Sequence, residues 1–182
     1  MSRIEIQNVV ASATIADELD LNALAAALQD AEYEPTRFPG LVLRMQDPKT
    51  AALLFRSGKM VCTGAKVVSD VAKAIKNVCD RIEKAGVNSI HRDPKIDIQN
   101  IVATSNLGAE LNLNAVAIGL GLEQVEYEPE QFPGLVYRMK DPKVVLLLFG
   151  SGKLVCTGAR KPEDAETAVG KIDAELKSLG LM

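Results

Sequence analysis

The 182-residue chain has no tryptophan, one histidine, three cysteines, three tyrosines and four phenylalanines. The lone His91 leaves a hydrolytic nucleophile without a ready base and a zinc site without its usual ligands, so no enzymatic activity, metal or other cofactor is expected. Cys62, Cys79 and Cys156 are odd in number and lack C-x-x-C spacing, which fits reduced thiols better than a disulfide framework. No apolar run approaches the ~20 residues of a membrane span, and the start MSRIEIQNVV lacks the basic-then-apolar layout of a signal peptide. A cytoplasmic location is expected. A basic excess is missing too: 21 Lys/Arg against 24 Asp/Glu gives a net charge of −3, which on its own argues against a nucleic-acid partner. What remains, 47% hydrophobic and 25% charged residues, is the profile of an ordinary globular protein, not of a disordered or coiled-coil chain.

Laid against itself, the sequence matches. IQNVVASATIADELDLNALAAAL from Ile6 recurs as IQNIVATSNLGAELNLNAVAIGL from Ile98, and EYEPTRFPGLVLRMQDPKTAALLFRSGKMVCTGAK from Glu32 recurs as EYEPEQFPGLVYRMKDPKVVLLLFGSGKLVCTGAR from Glu126. About 37 of roughly 60 aligned positions are identical, far above chance for this composition. The chain is therefore a duplication, with residues 1–92 as the first repeat and 93–182 as the second. The repeats differ in charge: the first holds 12 Lys/Arg and 11 Asp/Glu, the second 9 and 13.

Each repeat reads as α+β. In the first, strands are expected near residues 4–15, 41–45, 51–55 and 59–64, with a short helix over 22–29. A long amphipathic helix follows, with Ser69 as N-cap, Val71, Ile75, Val78, Cys79 and Ile82 on one face, and Gly86 as the stop. In the second repeat Pro162 suits the first turn of the equivalent helix and Gly180 its end. Turns at Arg56-Ser57-Gly58 and Gly150-Ser151-Gly152 imply antiparallel hairpins, eight to ten strands in all.

These strands are too apolar for a sheet with one wet face, since runs such as Leu53-Leu54-Phe55 and Leu146-Leu147-Leu148-Phe149 are apolar on both sides. Two long helices cover only one face, so the other is expected to be an exposed apolar binding surface. A sandwich of two sheets, or a dimer closing over this face, is the competing reading. Counting in twos puts Asn8, Val10, Ser12, Val42, Arg44, Ala51, Leu53, Phe55, Lys59, Val61 and Thr63 on that face. The second repeat supplies Asn100, Val102, Thr104, Val136, Arg138, Val145, Leu147, Phe149, Lys153, Val155 and Thr157. An apolar centre with Asn and Thr hydrogen-bonding groups and cations toward the edges suits a DNA minor groove, whose A·T floor offers only acceptors between apolar sugar walls and phosphates. All four phenylalanines fall at two equivalent places per repeat, Phe38 and Phe132 in FPGL, Phe55 and Phe149 at strand ends. Two symmetric pairs are what wedging into two base steps requires.

The duplicated QN(V/I)VA, EYEP..FPGL, RM..PK, LLF.SGK and x-TGA segments resemble the core of the TATA-box-binding family across nearly the whole chain, and that family is itself a standard example of kinking DNA from the minor groove. The resemblance implies a pseudo-two-fold saddle, one curved antiparallel sheet of about ten strands with four helices on its convex side. It implies a general initiation factor bound to A/T-rich double-stranded promoter DNA, with Phe38, Phe55, Phe132 and Phe149 intercalating. Asn8, Asn100, Thr63 and Thr157 would hydrogen-bond base acceptors, and Val10, Val102, Leu53, Leu147, Val61 and Val155 would press on the groove. Arg44, Arg138, Lys59, Lys153, Lys66, Arg160, Ser57 and Ser151 would lie toward phosphates. The short acidic core is similar to archaeal members, which act with transcription factor B and RNA polymerase; in the loop that resembles the stirrup holding transcription factor B, Glu128 and Glu130 match, while Gln131 replaces a leucine seen in eukaryotic members. The first repeat has Thr36 and Arg37 there.

Rival readings are simpler. SGK is expected to be a hairpin turn, because the upstream glycine and following Ser/Thr of a phosphate loop are missing. Lys73, Lys76, Arg81 and Lys84 on one long helix, and the acids on the other, read as solvated faces. An enzyme on the same fold, like the small domain accompanying some DNA glycosylases, would need a catalytic constellation that is not seen. A non-enzymatic scaffold or homodimer using the apolar face is the alternative function.

Overall fold

The computed structural model describes residues 4–182. In chain order the elements are β1 (Glu5–Thr14), α1 (Leu21–Ala27), β2 (Leu41–Gln46), β3 (Lys49–Leu54), β4 (Lys59–Ala65), α2 (Val68–Lys84), β5 (Ile96–Asn106), α3 (Leu113–Leu120), β6 (Val125–Glu126), β7 (Leu135–Lys140), β8 (Lys143–Leu148), β9 (Lys153–Ala159) and α4 (Pro162–Ser178). This is the expected α+β class with four helices. Nine strands are found among the described residues, where about ten were expected: the first-repeat counterpart of β6 is reduced to a single bridge, Glu32 opposite Val42.

The described residues form two compact units, one of residues 8–99, the other of residues 100–182 together with residues 4–7. In the first unit the antiparallel order is β2-β3-β4-β1, in the second β5-β9-β8-β7-β6. Each long strand lends its head to the other repeat's unit. Gln99 at the head of β5 donates to the Ser12 hydroxyl at 2.9 Å, and Gln7 at the head of β1 donates to the Thr104 hydroxyl at 3.1 Å.

The core of each unit follows from register. Directly opposed residues of an antiparallel pair point to the same face. Leu43, Ala52, Cys62 and Ala11 form one row and Leu41, Leu54, Met60 and Ala13 the next, all buried. Over these rows lies α2 with Val71, Ala74, Ile75, Val78 and Ile82, all buried. The second unit repeats this with Leu135, Leu146, Leu148 and Leu154 beneath Ala168, Val169, Ile172 and Leu176 of α4. Each buried Leu or Ile contributes roughly 1.5–3 kcal/mol relative to exposure, so these layers stabilise the units.

Helix C-termini follow local chemistry, whereas neither long helix has a side-chain N-cap bond. Both long helices end in a Schellman turn: Gly86 at φ 109 and Gly180 at φ 70 let Val87 and Leu181 donate back to Ile82 and Leu176 at 3.1 and 2.9 Å. Pro162 sits in the first turn of α4 as expected. Ser69, however, is not a cap. Val67, extended at φ −137, takes that position with no side-chain bond, because β4 ends at Ala65 and the chain turns directly into α2. Asp70 in the first turn supplies a carboxylate near the positive helix end instead. SGK is a hairpin turn: the Phe55 N–H donates to the Lys59 carbonyl at 2.9 Å and the Gly58 N–H to the Phe55 carbonyl at 3.0 Å. Gly58 stands at φ 88, and a side chain there would meet the Ala16 carbonyl oxygen at 1.8 Å.

Candidate nucleic-acid interface

The face opposite the helices is built by the same register. Val42, Leu53, Val61 and Ser12 form one row, and Arg44, Ala51 and Thr63 the next; the second unit places Val136, Leu147, Val155 and Thr104, then Arg138, Val145 and Thr157. Val10, Leu53, Val61, Val102, Leu147 and Val155 are half-buried, whereas the helix-facing Val9, Leu54, Ile101 and Leu148 are fully buried at 0% exposure. Among the described residues no helix of either unit packs on these open rows. The described strands of each unit form one continuous sheet, so the sandwich reading is excluded within each unit.

Polar groups on this face are held, with donors to spare. A bulge in β1 between Val9 and Ala11 shifts its register against β4. Asn8 Oδ1 accepts the Gly64 backbone N–H at 2.6 Å, and Asn8 Nδ2 lies 3.2 Å from the Thr63 hydroxyl. Asn100 repeats the arrangement with Gly158 at 2.6 Å and Thr157 at 3.2 Å. The backbone N–H occupies each carbonyl and one amino hydrogen goes to the threonine hydroxyl, so each amide keeps a second amino hydrogen able to donate to an acceptor such as a base N3 or O2. Gln7 and Gln99 were not singled out as site residues, since alternation sends them to the other face from Asn8 and Asn100. Their bonds to Thr104 and Ser12 bring them to the open rows. The repeated QN pair was the signal for them.

The four phenylalanines are assembled as two pairs. Phe38 and Phe55 have ring centroids 5.9 Å apart at 68°, and Phe132 and Phe149 are 5.9 Å apart at 67°. Edge-to-face packing of this kind stiffens each pair. The loops that carry the outer rings are closed by backbone bonds: the Glu34 carbonyl accepts from Arg37 and Phe38 at 2.9 and 3.0 Å, the Glu128 carbonyl from Gln131 and Phe132 at 3.0 Å each. Glycine completes the cradle. A methyl at Gly40 would meet Phe38 at 2.6 Å and Phe55 at 3.0 Å, and one at Gly134 would meet Phe132 and Phe149 at the same distances. Phe38 and Phe132 nevertheless expose 39% and 40% of their surface, large for aromatic rings.

Cations rim the open face, accompanied by acids that the sequence reading did not place there. Lys59, Lys66, Lys153, Arg160, Ser57 and Ser151 are exposed at strand ends and turns. Arg44 and Arg138 are exposed too, but each is ion-paired, with Glu32 at 2.8 Å and with Glu126 at 3.4 Å. The acidic loop of the second unit presents Glu128, Glu130 and Gln131 to solvent. In the first unit the equivalent loop is neutralised, Glu34 pairing with Arg37 at 3.5 Å. Arg81 is also no free solvent cation: it pairs with Asp30 at 2.6 Å, and that hydrogen bond holds the Asp30 carboxyl below its usual range.

The remaining reactive groups are structural. Cys62, Cys79 and Cys156 are buried free thiols, and burial pushes each up to about 11, Cys79 and Cys156 with help from nearby carboxylates. They stay protonated at neutral pH. His91 holds the inter-repeat segment to β1 and the turn after it, its N–H donating to the Ile15 carbonyl at 2.7 Å and its ring lying 3.0 Å from Asp17. Among the described residues no group of three or more His, Cys, Asp or Glu side chains is arranged to hold a metal ion, and no helix is long and apolar enough to cross a membrane.

Comparison with known proteins agrees with this geometry. The chain is 56% identical over 180 residues to the TATA-box-binding protein of Archaeoglobus fulgidus, spanning 99% of this chain and 98% of that one. It is 60% identical over 179 residues to TATA-box-binding protein 2 of Haloferax volcanii, at 98% and 96% coverage. The solved structure of Methanococcus jannaschii TBP superimposes with a TM-score of 0.87 at 52% identity, covering 97% of this chain and 99% of that one. The family profile described as transcription factor TFIID, or TATA-binding protein, matches residues 3–85 and again 95–179, one match per repeat. With two open apolar faces, two phenylalanine pairs and this double match, the chain belongs to the TATA-binding protein family.

Proposed function

We propose that the chain is a cytoplasmic general initiation factor that binds the minor groove of an A/T-rich promoter element through its open face, kinks the duplex, and recruits transcription factor B and RNA polymerase. Membership of the family supports a role in transcription initiation through TATA DNA. The observation that carries the finer reading is a half-exposed apolar face beside two phenylalanine pairs, each with one exposed ring, Phe38 or Phe132, packed on a half-buried one, Phe55 or Phe149. Phe38 with Phe55 and Phe132 with Phe149 each open one base step. Val10, Leu53, Val61, Val102, Leu147 and Val155 press on the sugars and floor, where a guanine amino group would obstruct them. The second amino hydrogens of Asn8 and Asn100, with Thr63 and Thr157 beside them, meet base acceptors. Arg44, Ser57, Lys59, Lys66, Arg138, Ser151, Lys153 and Arg160 meet phosphates, and Glu128, Glu130 and Gln131 hold transcription factor B.

The test titrates a bend-reporting duplex carrying a TATA element against a G/C-rich duplex of equal length. Wild type bends and prefers the A/T-rich duplex; Phe55→Ala and Phe149→Ala each reduce the bend and weaken binding by about tenfold or more. A protein that neither bends nor discriminates sinks the reading. Sedimentation in the same buffers tests the alternative, a homodimer or scaffold closed over the apolar face: DNA dissociating a dimer would make the two occupants competitors for one surface.

A further inference from the structure

Two carboxylates stand on the open face itself. Glu32 is directly opposed to Val42, with backbone bonds of 2.9 and 2.8 Å in both directions, and Glu126 is directly opposed to Val136. Opposed residues share a face, and Val42 and Val136 belong to the open rows. The acids therefore project at the outer edge of the surface assigned to DNA, beside the arginines two residues along. Arg44 donates from Nη1 to Glu32 Oε1 at 2.8 Å, and Arg138 from Nη2 to Glu126 Oε1 at 3.4 Å. The side chains are 59% and 66% exposed in the first pair, 58% and 66% in the second. Pairs this exposed contribute about 0–1 kcal/mol to stability, too little for folding to depend on them. Placed on a surface that meets a polyanion, they matter more for binding.

We infer that Glu32 and Glu126 are specificity-determining residues, which mask the phosphate-directed charge of Arg44 and Arg138 so that binding depends on the groove floor and the phenylalanine wedges. The inference rests on the DNA-binding reading above. A guanidinium carries its donors in a fixed fork; the carboxylate occupies one edge and leaves another for a phosphate oxygen. On a duplex that does not fit the apolar rows, phosphates meet a nearly neutral Glu–Arg pair and gain little. On a duplex that fits and bends, the backbone is brought close enough to engage the free edge. Without the acids, both arginines would attract any duplex regardless of sequence.

The experiment uses the full chain as wild type, Glu32→Gln/Glu126→Gln, Arg44→Gln/Arg138→Gln, and the quadruple variant, with anisotropy titrations on A/T-rich and G/C-rich duplexes across a potassium chloride series. Removing the acids is expected to tighten G/C-rich binding about tenfold at low salt and A/T-rich binding less, narrowing discrimination. It steepens the slope of log affinity against log salt by about 1–2, near 0.9 per phosphate contact released from masking. The gain disappears in the quadruple variant. An unchanged slope and ratio, a loss of affinity on both duplexes, or a gain that persists without the arginines overturns the inference. Failure of wild type to prefer A/T-rich DNA would instead strike the DNA-binding reading, so the two failures are told apart.

Discussion

The two repeats carry the same phenylalanine geometry and different loops around it. The ring pairs agree to 5.9 Å in both units and 68° against 67°, and the glycines behind them meet the rings at the same 2.6 and 3.0 Å. Yet the loop bearing Phe38 pairs Glu34 with Arg37, while the loop bearing Phe132 shows Glu128, Glu130 and Gln131 to solvent. Helix α3 carries Ile118 at 78% exposure, where the first repeat has Ala26. Duplication alone would keep every position alike. The difference teaches that the ring geometry of the open face is held equal in both repeats while the charges of the loops around it have diverged.

Four experiments would break or sharpen that comparison. The largest effect is in the core: Leu41→Ala and Leu135→Ala, equivalent and both fully buried, should each cost about 2–5 kcal/mol in thermal or denaturant unfolding, and unequal costs would mean the two cores are packed differently. Next come Gly40→Ala and Gly134→Ala, whose new methyls push the Phe38 and Phe132 rings aside. Melting should hardly change, because the rings are loop-borne and exposed, but DNA bending should fall in both variants; bending preserved in one would break the equivalence of the wedges. Glu128→Arg should leave DNA binding intact and weaken the ternary complex with transcription factor B by about tenfold, whereas Glu34→Arg should leave the ternary complex unchanged; equal effects would remove the polarity assigned to the loops. The last comparison is electrostatic and confined to alkaline pH. The thiols titrate near 9.0 when unfolded and near 11 when folded, so unfolding releases protons in that range and stability should decline as pH climbs from 9 to 11. Replacing equivalent Cys62 and Cys156 with Ala in turn should flatten this alkaline decline equally, read from urea midpoints.

Much of this was legible in the residues. The duplication, the α+β pattern, the hairpin at SGK and the alternation that exposes Leu53 and Val61 all rest on local spacing, which period and turn chemistry report directly. The misses share a different cause. Val67 caps α2 in place of Ser69 because the end of β4 dictates where the chain turns. Glu32 and Glu126 read as loop acids, and only their register opposite Val42 and Val136 brings them onto the open face. Gln7 and Gln99 escaped strict alternation because long amides reach hydroxyls on a neighbouring strand.

The scarcities in the chain therefore have separate origins. By itself the sequence determined the repeat, the two apolar sides of each strand and the symmetric placement of four phenylalanines, because these depend on periodicity and composition alone. Tertiary structure decided which charges share the open face, that the Asn8 and Asn100 carbonyls accept the Gly64 and Gly158 backbone N–H groups, and the edge-to-face angle at which the phenylalanines meet. Those outcomes depend on contacts between residues distant in the chain, which strand register creates and spacing along one strand does not contain.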